Sequence, residues 1–215
     1  MQLGADEAGK GPVLGPMVAA AVRAPETALP DGLDDSKRLS PSKRESLADH
    51  LRGHSAVSVG VAVVTPERID DPETDMNGLT VAAQAEALSA VAEDGDVAVV
   101  DAGDVDEARF GRRVRTAVES EGREIEVQSE HRADEAHPVV SAASVVAKVE
   151  RDAHVERLTA EYGDVGSGYP SDPTTRTFLR EYVRDHGVLP DCARASWQTC
   201  ADVLAAAEQS ALSEF

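Results

Sequence analysis

Three places in this sequence put carboxylates where a solvated surface acid has little reason to be. Asp6 and Glu7 stand side by side at the end of a short apolar run, immediately before the glycine-rich bend Gly9-Lys10-Gly11-Pro12. Asp101 closes the nearly all-apolar segment VAVVD at 97–101. Asp134 lies between Arg132 and His137, just ahead of Pro138 and a long apolar stretch. Carboxylates are hard oxygen ligands, so acids converging from separate strand ends or helix starts can hold magnesium or manganese. In open α/β sheets, strand ends facing a crevice are where ligands collect. A glycine bend lets main-chain N–H groups approach a phosphate or a hydroxyl closely. It is not a P-loop, because the chain has no GxxxxGK[ST]. For any one of these acids a turn or helix-cap role is the competing reading. Spacing alone therefore points to metal-dependent phosphoryl transfer and leaves the substrate unnamed.

Those acids need a framework, and 215 residues with 41% apolar content supply one domain with a sizeable core. Gln2–Asp6 reads as a strand, and Pro16–Val22 as its hairpin-like partner across a wide turn. Residues 25–36 are loop by composition. Ser40-Pro41 is a helix start, Ser as N-cap and Pro at the first helical position, running to Leu51. Ser55–Val64 alternates and is valine-rich, a third strand. Asn77–Ala92 is an amphipathic helix, Val97–Asp101 a buried parallel strand, Phe110–Ser120 a helix and Glu124–Gln128 a strand. From Pro138 to about Tyr162 the pattern is helical, apolar in its first half and charged in its second. The order predicts an α/β domain with a mixed β-sheet flanked by helices. Two helical stretches, 173–185 and 196–209, form a C-terminal helical extension. The expected division is a catalytic domain over 1–165, the extension over 166–208, and a tail at 209–215.

Composition removes several classes. Met17–Val22 is far too short to span a bilayer, and Asp6 and Glu7 stand where a signal peptide would be basic and then apolar. Cys192 and Cys200 have no CxxC and no regular Cys/His spacing, so neither a disulfide scaffold nor a zinc site is expected. The expectation is a cytoplasmic monomer. A net charge of −19, with 40 acidic against 21 basic residues, ordinarily argues against a polyanionic partner. Only Lys10, Lys37, Lys43 and Lys148 are lysines, aromatics are 3%, and acids are scattered through every segment. That pattern fits a protein adapted to high salt, where screening mutes self-repulsion. The charge then reports the solvent and not the partner.

The motifs, taken in order, resemble one family. Gly4-Ala5-Asp6-Glu7-Ala8-Gly9-Lys10-Gly11-Pro12-Val13-Leu14-Gly15-Pro16-Met17 is similar to the opening signature of type 2 ribonuclease H (ribonuclease HII), archaeal branch. Asp35-Ser36-Lys37, VVDAG at 99–103, Arg132-Ala133-Asp134, Ser141-Ala142-Ala143-Ser144, Ala147-Lys148-Val149, Arg151-Asp152 and Gly166-Ser167-Gly168-Tyr169-Pro170-Ser171-Asp172-Pro173 follow colinearly, covering roughly 3–200. The resemblance implies an RNase H-like fold and endonucleolytic cleavage of RNA in RNA/DNA hybrids, including single ribonucleotides embedded in duplex DNA. By motif position it makes Asp6, Glu7, Asp101 and Asp134 the catalytic, metal-binding acids. It implies two-metal hydrolysis with Mg2+ or Mn2+, cutting 5′ of the ribonucleotide and leaving 3′-hydroxyl and 5′-phosphate ends.

It also implies readers of the substrate. The 2′-hydroxyl falls to the main chain of Gly9, Lys10 and Gly11 and to Tyr169. The family usually carries arginine where this chain has Lys10, and lysine serves equally only if the main chain does the reading. Lys37 and Lys148, in matched motifs of a lysine-poor chain, are candidate phosphate contacts, as are Ser141 and Ser144 one helical turn apart. Arg194 and Trp197 resemble the family's closing segment, with Trp197 as a packing anchor. Gln209, Leu212 and Phe215 fit a sliding-clamp (PCNA) binding peptide short by one aromatic. The alternatives are another RNase H-like polynucleotidyl transferase such as a junction resolvase, and a non-catalytic hybrid- or clamp-binding protein.

Overall fold

The computed structural model describes residues 1–33 and 39–213. Two apolar runs on either side of the glycine bend become β1 (Gln2–Ala8) and β2 (Met17–Ala24), paired antiparallel with Gln2 opposite Ala24 and Ala8 opposite Val18. With β3 (Ser58–Val64), β4 (Val97–Asp101) and β5 (Glu126–Glu130) they form a five-stranded sheet of order β3-β2-β1-β4-β5. β4 runs parallel to β1 and β5 parallel to β4, so the sheet is mixed, as the element order predicts. The β1–β4 register pairs Leu3 with Ala98 and Ala5 with Val100. Asp6 and Asp101 each come one residue later, Asp101 as the last residue of β4 and Asp6 two residues before β1 ends at Ala8.

The helices follow from local signals. α1 (Pro41–Gly53) starts as expected, with the Ser40 hydroxyl accepting the Lys43 N–H at 3.3 Å and Pro41 in the first turn. α2 (Pro66–Ile69) is a single turn, and α3 (Met76–Ser89) lies against β1 and β2. α4 (Glu107–Ser120) begins earlier than its apolar pattern suggests, because Asp106 caps it through the Arg109 N–H at 2.9 Å. α5 (Ala133–Ala136) is another single turn, followed by α6 (Pro138–Tyr162), α7 (Pro173–His186) and α8 (Gln198–Ser213). The expected β5 ends shift by two residues. Alternation over Glu124–Glu130 carries no mark of its own limits, and pairing from Val97↔Glu126 to Asp101↔Glu130 sets them.

Two compact units result. The first comprises residues 1–8, 17–63 and 76–151 and contains nearly all of the sheet. Its core packs Ala20, Val22 and Ala24 of β2 with Leu47 and Leu51 of α1 and Val139–Ala147 of α6. α6 comes so near β1 that a Cβ on Gly4 would meet Val139 Cγ1 and the Val140 nitrogen at 2.9 Å. The second unit comprises 9–16, 64–75 and 152–215, with Val13, Leu14, Val165, Leu179, Val183 and Cys200 in its core. Burial pushes the thiols of Cys192 and Cys200 up, to about 12 and about 11, so both remain protonated packing residues. Among the described residues no helix is long and apolar enough to cross a membrane.

Candidate active site

Three of the acids singled out by their positions, Asp6, Glu7 and Asp101, meet toward one end of the β1–β4 pair. Asp6 is buried, and its carboxyl is pushed well above the ordinary range, first by burial and then by the charges of Glu7 and Asp101. Its Oδ1 accepts the Glu7 N–H at 2.7 Å, and the Ser144 hydroxyl on α6 also bonds to it. Glu7 Oε2 accepts from Gln84 Nε2 of α3 at 2.6 Å. Asp101 Oδ1 accepts the Ala133 N–H at 2.7 Å. The chain reaches that N–H through Arg132, a non-glycine residue at φ 60°, a strained conformation of the kind that collects at functional sites. Asp134 follows directly, buried in the first turn of α5.

Asp6 thus feels the charge of both Glu7 and Asp101, and the fourth acid is one residue beyond the donor that holds Asp101. Among the described residues no three His, Cys, Asp or Glu side chains form a ready-made metal cage. Asp6, Glu7 and Asp101 are each turned to a donor of the protein itself. The set still fits a divalent cation: all four donors are hard carboxylate oxygens, and the repulsion that raises Asp6 is what a bound cation relieves.

The glycine bend belongs to the second unit and is braced from below. Gly9 takes φ 85°, a conformation that suits glycine. Arg194, fully buried, donates to the carbonyls of Gly9 at 2.6 Å, Lys10 at 3.0 Å and Gly15 at 2.9 Å. Its guanidinium also lies 5.1 Å from the Trp197 ring centre, and Trp197 Nε1 donates to the Gly11 carbonyl at 3.4 Å. Trp197 is a packing anchor, with a polar tip that reaches the bend. Tyr169 is 41% exposed, its Cε1 3.8 Å from where a Gly11 Cβ would stand. Its loop is tied down by Asp172, which accepts the Ser167 N–H and hydroxyl at 2.7 Å and the Thr174 N–H at 2.9 Å. Those bonds, led by the Ser167 N–H, hold the Asp172 carboxyl below its usual value.

The remaining candidates are placed as follows. Ser141 is fully buried and donates its hydroxyl to the Leu33 carbonyl. Ser144, also buried, accepts from Lys148 Nζ at 2.9 Å, so Lys148 is linked through one hydroxyl to Asp6. Both serine hydroxyls are thus engaged inside the first unit. Lys37 and Phe215 lie outside the described residues. Gln209 is exposed near the end of α8, and Leu212 belongs to the same helix.

The family model for ribonuclease HII matches residues 3–200. This chain belongs to the ribonuclease HII family. It is similar to a ribonuclease HII of the halophilic archaeon Haloarcula marismortui, 64% identical over 215 residues and covering all of both chains. Among solved structures, the ribonuclease H2 of Pyrococcus horikoshii OT3 aligns with a TM-score of 0.87 at 36% identity, over 96% of this chain and 98% of that one. The ribonuclease HII of a PCNA:RNase HII complex from Archaeoglobus fulgidus aligns at 0.83 and 39%, over 94% and 96%. As a family member the chain is a metal-dependent endoribonuclease acting on RNA/DNA hybrids. Halophilic relatives bear out the high-salt reading of its acidic composition.

Two residues, Gln84 and Arg194, have roles that the sequence does not announce. Gln84 is a polar side chain on the buried stripe Thr80-Gln84-Leu88 of α3, and that interruption was its only signal. Arg194 resembles part of a closing motif in sequence, where nothing marks its reach to carbonyls 179 to 185 residues away.

The Asp6 shift carries a stability consequence with a definite sign. A carboxyl raised on folding binds its proton more tightly in the folded chain. Stability is therefore fullest below the unfolded value near 3.8 and falls as pH rises through the raised folded value. Asp6→Asn is expected to melt higher than the parent at neutral pH in a chelator, with the gap closing toward pH 4. Paired melting curves at pH 7 and pH 4 check this, and a variant melting lower at pH 7 contradicts it.

Proposed function

We propose that this ribonuclease HII nicks duplex DNA on the 5′ side of embedded ribonucleotides, and cuts the RNA strand of hybrids, by two-metal hydrolysis leaving 3′-hydroxyl and 5′-phosphate ends. The observation that carries this reading is the meeting of Asp6, Glu7 and Asp101 toward the C-terminal ends of β1 and β4, where the charges of Glu7 and Asp101 add to burial in raising Asp6. With Asp134 they are the proposed catalytic and metal-holding groups. Magnesium and manganese both suit such a set. Ions held there supply an activated water for in-line attack and stabilisation of the leaving 3′ oxygen.

The chain's own part is to hold the carboxylates in place and to read the sugar. Ser144 supports Asp6, the Ala133 N–H supports Asp101, and the Gln84 amide supports Glu7. The 2′-hydroxyl is assigned to the main chain of Gly9, Lys10 and Gly11 and to the exposed ring of Tyr169. Arg194 holds the carbonyls of Gly9 and Lys10, which favours reading by the bend's backbone, so lysine in place of arginine at position 10 is tolerated. Lys148 and Lys37 are assigned to phosphate, and Ser144 supports both Lys148 and Asp6. Ser141 serves packing through Leu33. The tail Gln209, Leu212 and Phe215 is assigned to the sliding clamp, supported by the clamp complex of the Archaeoglobus fulgidus relative. The chain is taken to act as a cytoplasmic monomer.

A DNA duplex carrying one ribonucleotide, incubated in high potassium chloride with Mg2+ or Mn2+, tests the reading by mass spectrometry of the products. The expected products end in a 3′-hydroxyl on the DNA side and a 5′-phosphate on the ribonucleotide. A 2′,3′-cyclic phosphate, or cleavage surviving in a chelator, would show different chemistry.

A further inference from the structure

We infer that Gln84 is a positioning residue of the metal site, a buried amide clamp across the ends of β1 and β4 that fixes the Glu7 carboxylate. The inference rests on the assignment of the four acids made above. Gln84 is fully buried on α3. Its Nε2 donates to Glu7 Oε2 at 2.6 Å and to the main-chain carbonyl of Asp101 at 3.1 Å. A primary amide has two N–H hydrogens, so these two bonds use its donor capacity fully. Both partners can only accept, which fixes the amide's orientation and leaves Oε1 facing away from them. That oxygen has no hydrogen-bond partner among the described residues.

An unpaired buried acceptor is unfavourable, and an apolar side chain of the same volume would avoid it. What the glutamine offers in return is its pair of donor bonds, and both go to residues of the proposed metal site. Glu7 has the longest and most flexible of the four acidic side chains, so it has the most rotamer freedom to lose when it ligates an ion. The clamp ties it to the strand end that carries Asp101 before any ion binds. A lysine there would hold Glu7 equally well but would bring a positive charge against the cation. A neutral donor orients the carboxylate and leaves its charge for the metal.

The test is Mn2+ binding by calorimetry to the full chain, stripped of metal, in high potassium chloride, beside melting curves and kinetics. Gln84→Met keeps the volume and removes both donors and the unpaired oxygen. It is expected to melt no lower than the parent and to bind Mn2+ about 10–100-fold more weakly, the range seen when a ligand's supporting partner is lost. Excess Mn2+ should restore its kcat, with KM for the substrate unchanged. Parent affinity for Mn2+ in Gln84→Met, or a cleavage defect that excess Mn2+ does not repair, overturns the inference. Should the methionine variant fail to fold, Gln84→Asn keeps the polarity but is one methylene too short to span both acceptors, and the same weakening is expected. A parent that binds no Mn2+, or an Asp101→Asn variant that binds it as the parent does, removes the acid assignment itself, and the clamp with it.

Discussion

Asp101→Asn is expected to lower kcat on a ribonucleotide-containing duplex by about 10²–10³-fold while leaving the protein folded, since removing one preorganised electrostatic group from such a site typically has that effect. The substitution is nearly isosteric, and the asparagine oxygen can still accept the Ala133 N–H that Asp101 Oδ1 holds at 2.7 Å. The α5 turn and its neighbour Asp134 should therefore stay where they are. The change removes one of the two charges that help push Asp6 up, so without divalent metal the variant should melt at or above the parent at neutral pH. Activity and stability then move in opposite directions, which a general packing defect cannot produce. The measurement is single-turnover cleavage at saturating Mn2+ beside a melting curve. A folded variant cleaving near the parent rate would take the chemistry away from the β1–β4 ends.

The parts of the site visible in the sequence were those with a local cause. Asp6, Glu7 and Asp101 were legible because each ends a run whose alternation or apolarity marks a strand, and acids are conspicuous there. Ser40-Pro41 was legible because an N-cap and a first-turn proline act within one turn of the chain. The two single-turn helices were not, since four residues give no period to read. α5 in particular depends on the left-handed turn at Arg132, which nothing in Glu130–Asp134 announces. The resemblance supplied the substrate, which spacing alone had left open. Ser141 and Ser144 matched the family by position, yet a hydroxyl's partner is set by the chain packed over it, here Leu33 and Asp6. The grouping of residues 9–16 with 152–215 was equally hidden, because contacts between segments so far apart leave no local trace.

Arg194 is the clearest such long-range contact and gives the second large effect. Arg194→Lys is expected to destabilise the chain by about 2–5 kcal/mol and to weaken recognition of the 2′-hydroxyl. The guanidinium spans three carbonyls at once, and a single ammonium on a flexible stem cannot reproduce that planar fork. Carbonyls of Gly9, Lys10 and Gly15 that lose their donor are left buried or must turn toward water, and turning re-aims the N–H groups between them. If the bend reads the sugar through those N–H groups, the variant should discriminate less between a ribonucleotide and its 2′-fluoro analogue at the cleavage position. Its affinity for Mn2+ should stay at the parent value, because the acids of the first unit keep their own donors. Competitive cleavage of the two substrates, run well below the variant's melting temperature, separates the two consequences. Full discrimination in a destabilised variant would mean that the bend holds its shape through its own backbone bonds, such as Val13 N–H to the Gly168 carbonyl at 2.7 Å and Gly15 N–H to the Cys192 carbonyl at 2.8 Å. Lost discrimination with metal binding intact would place sugar reading and metal binding on separately braced parts of the chain.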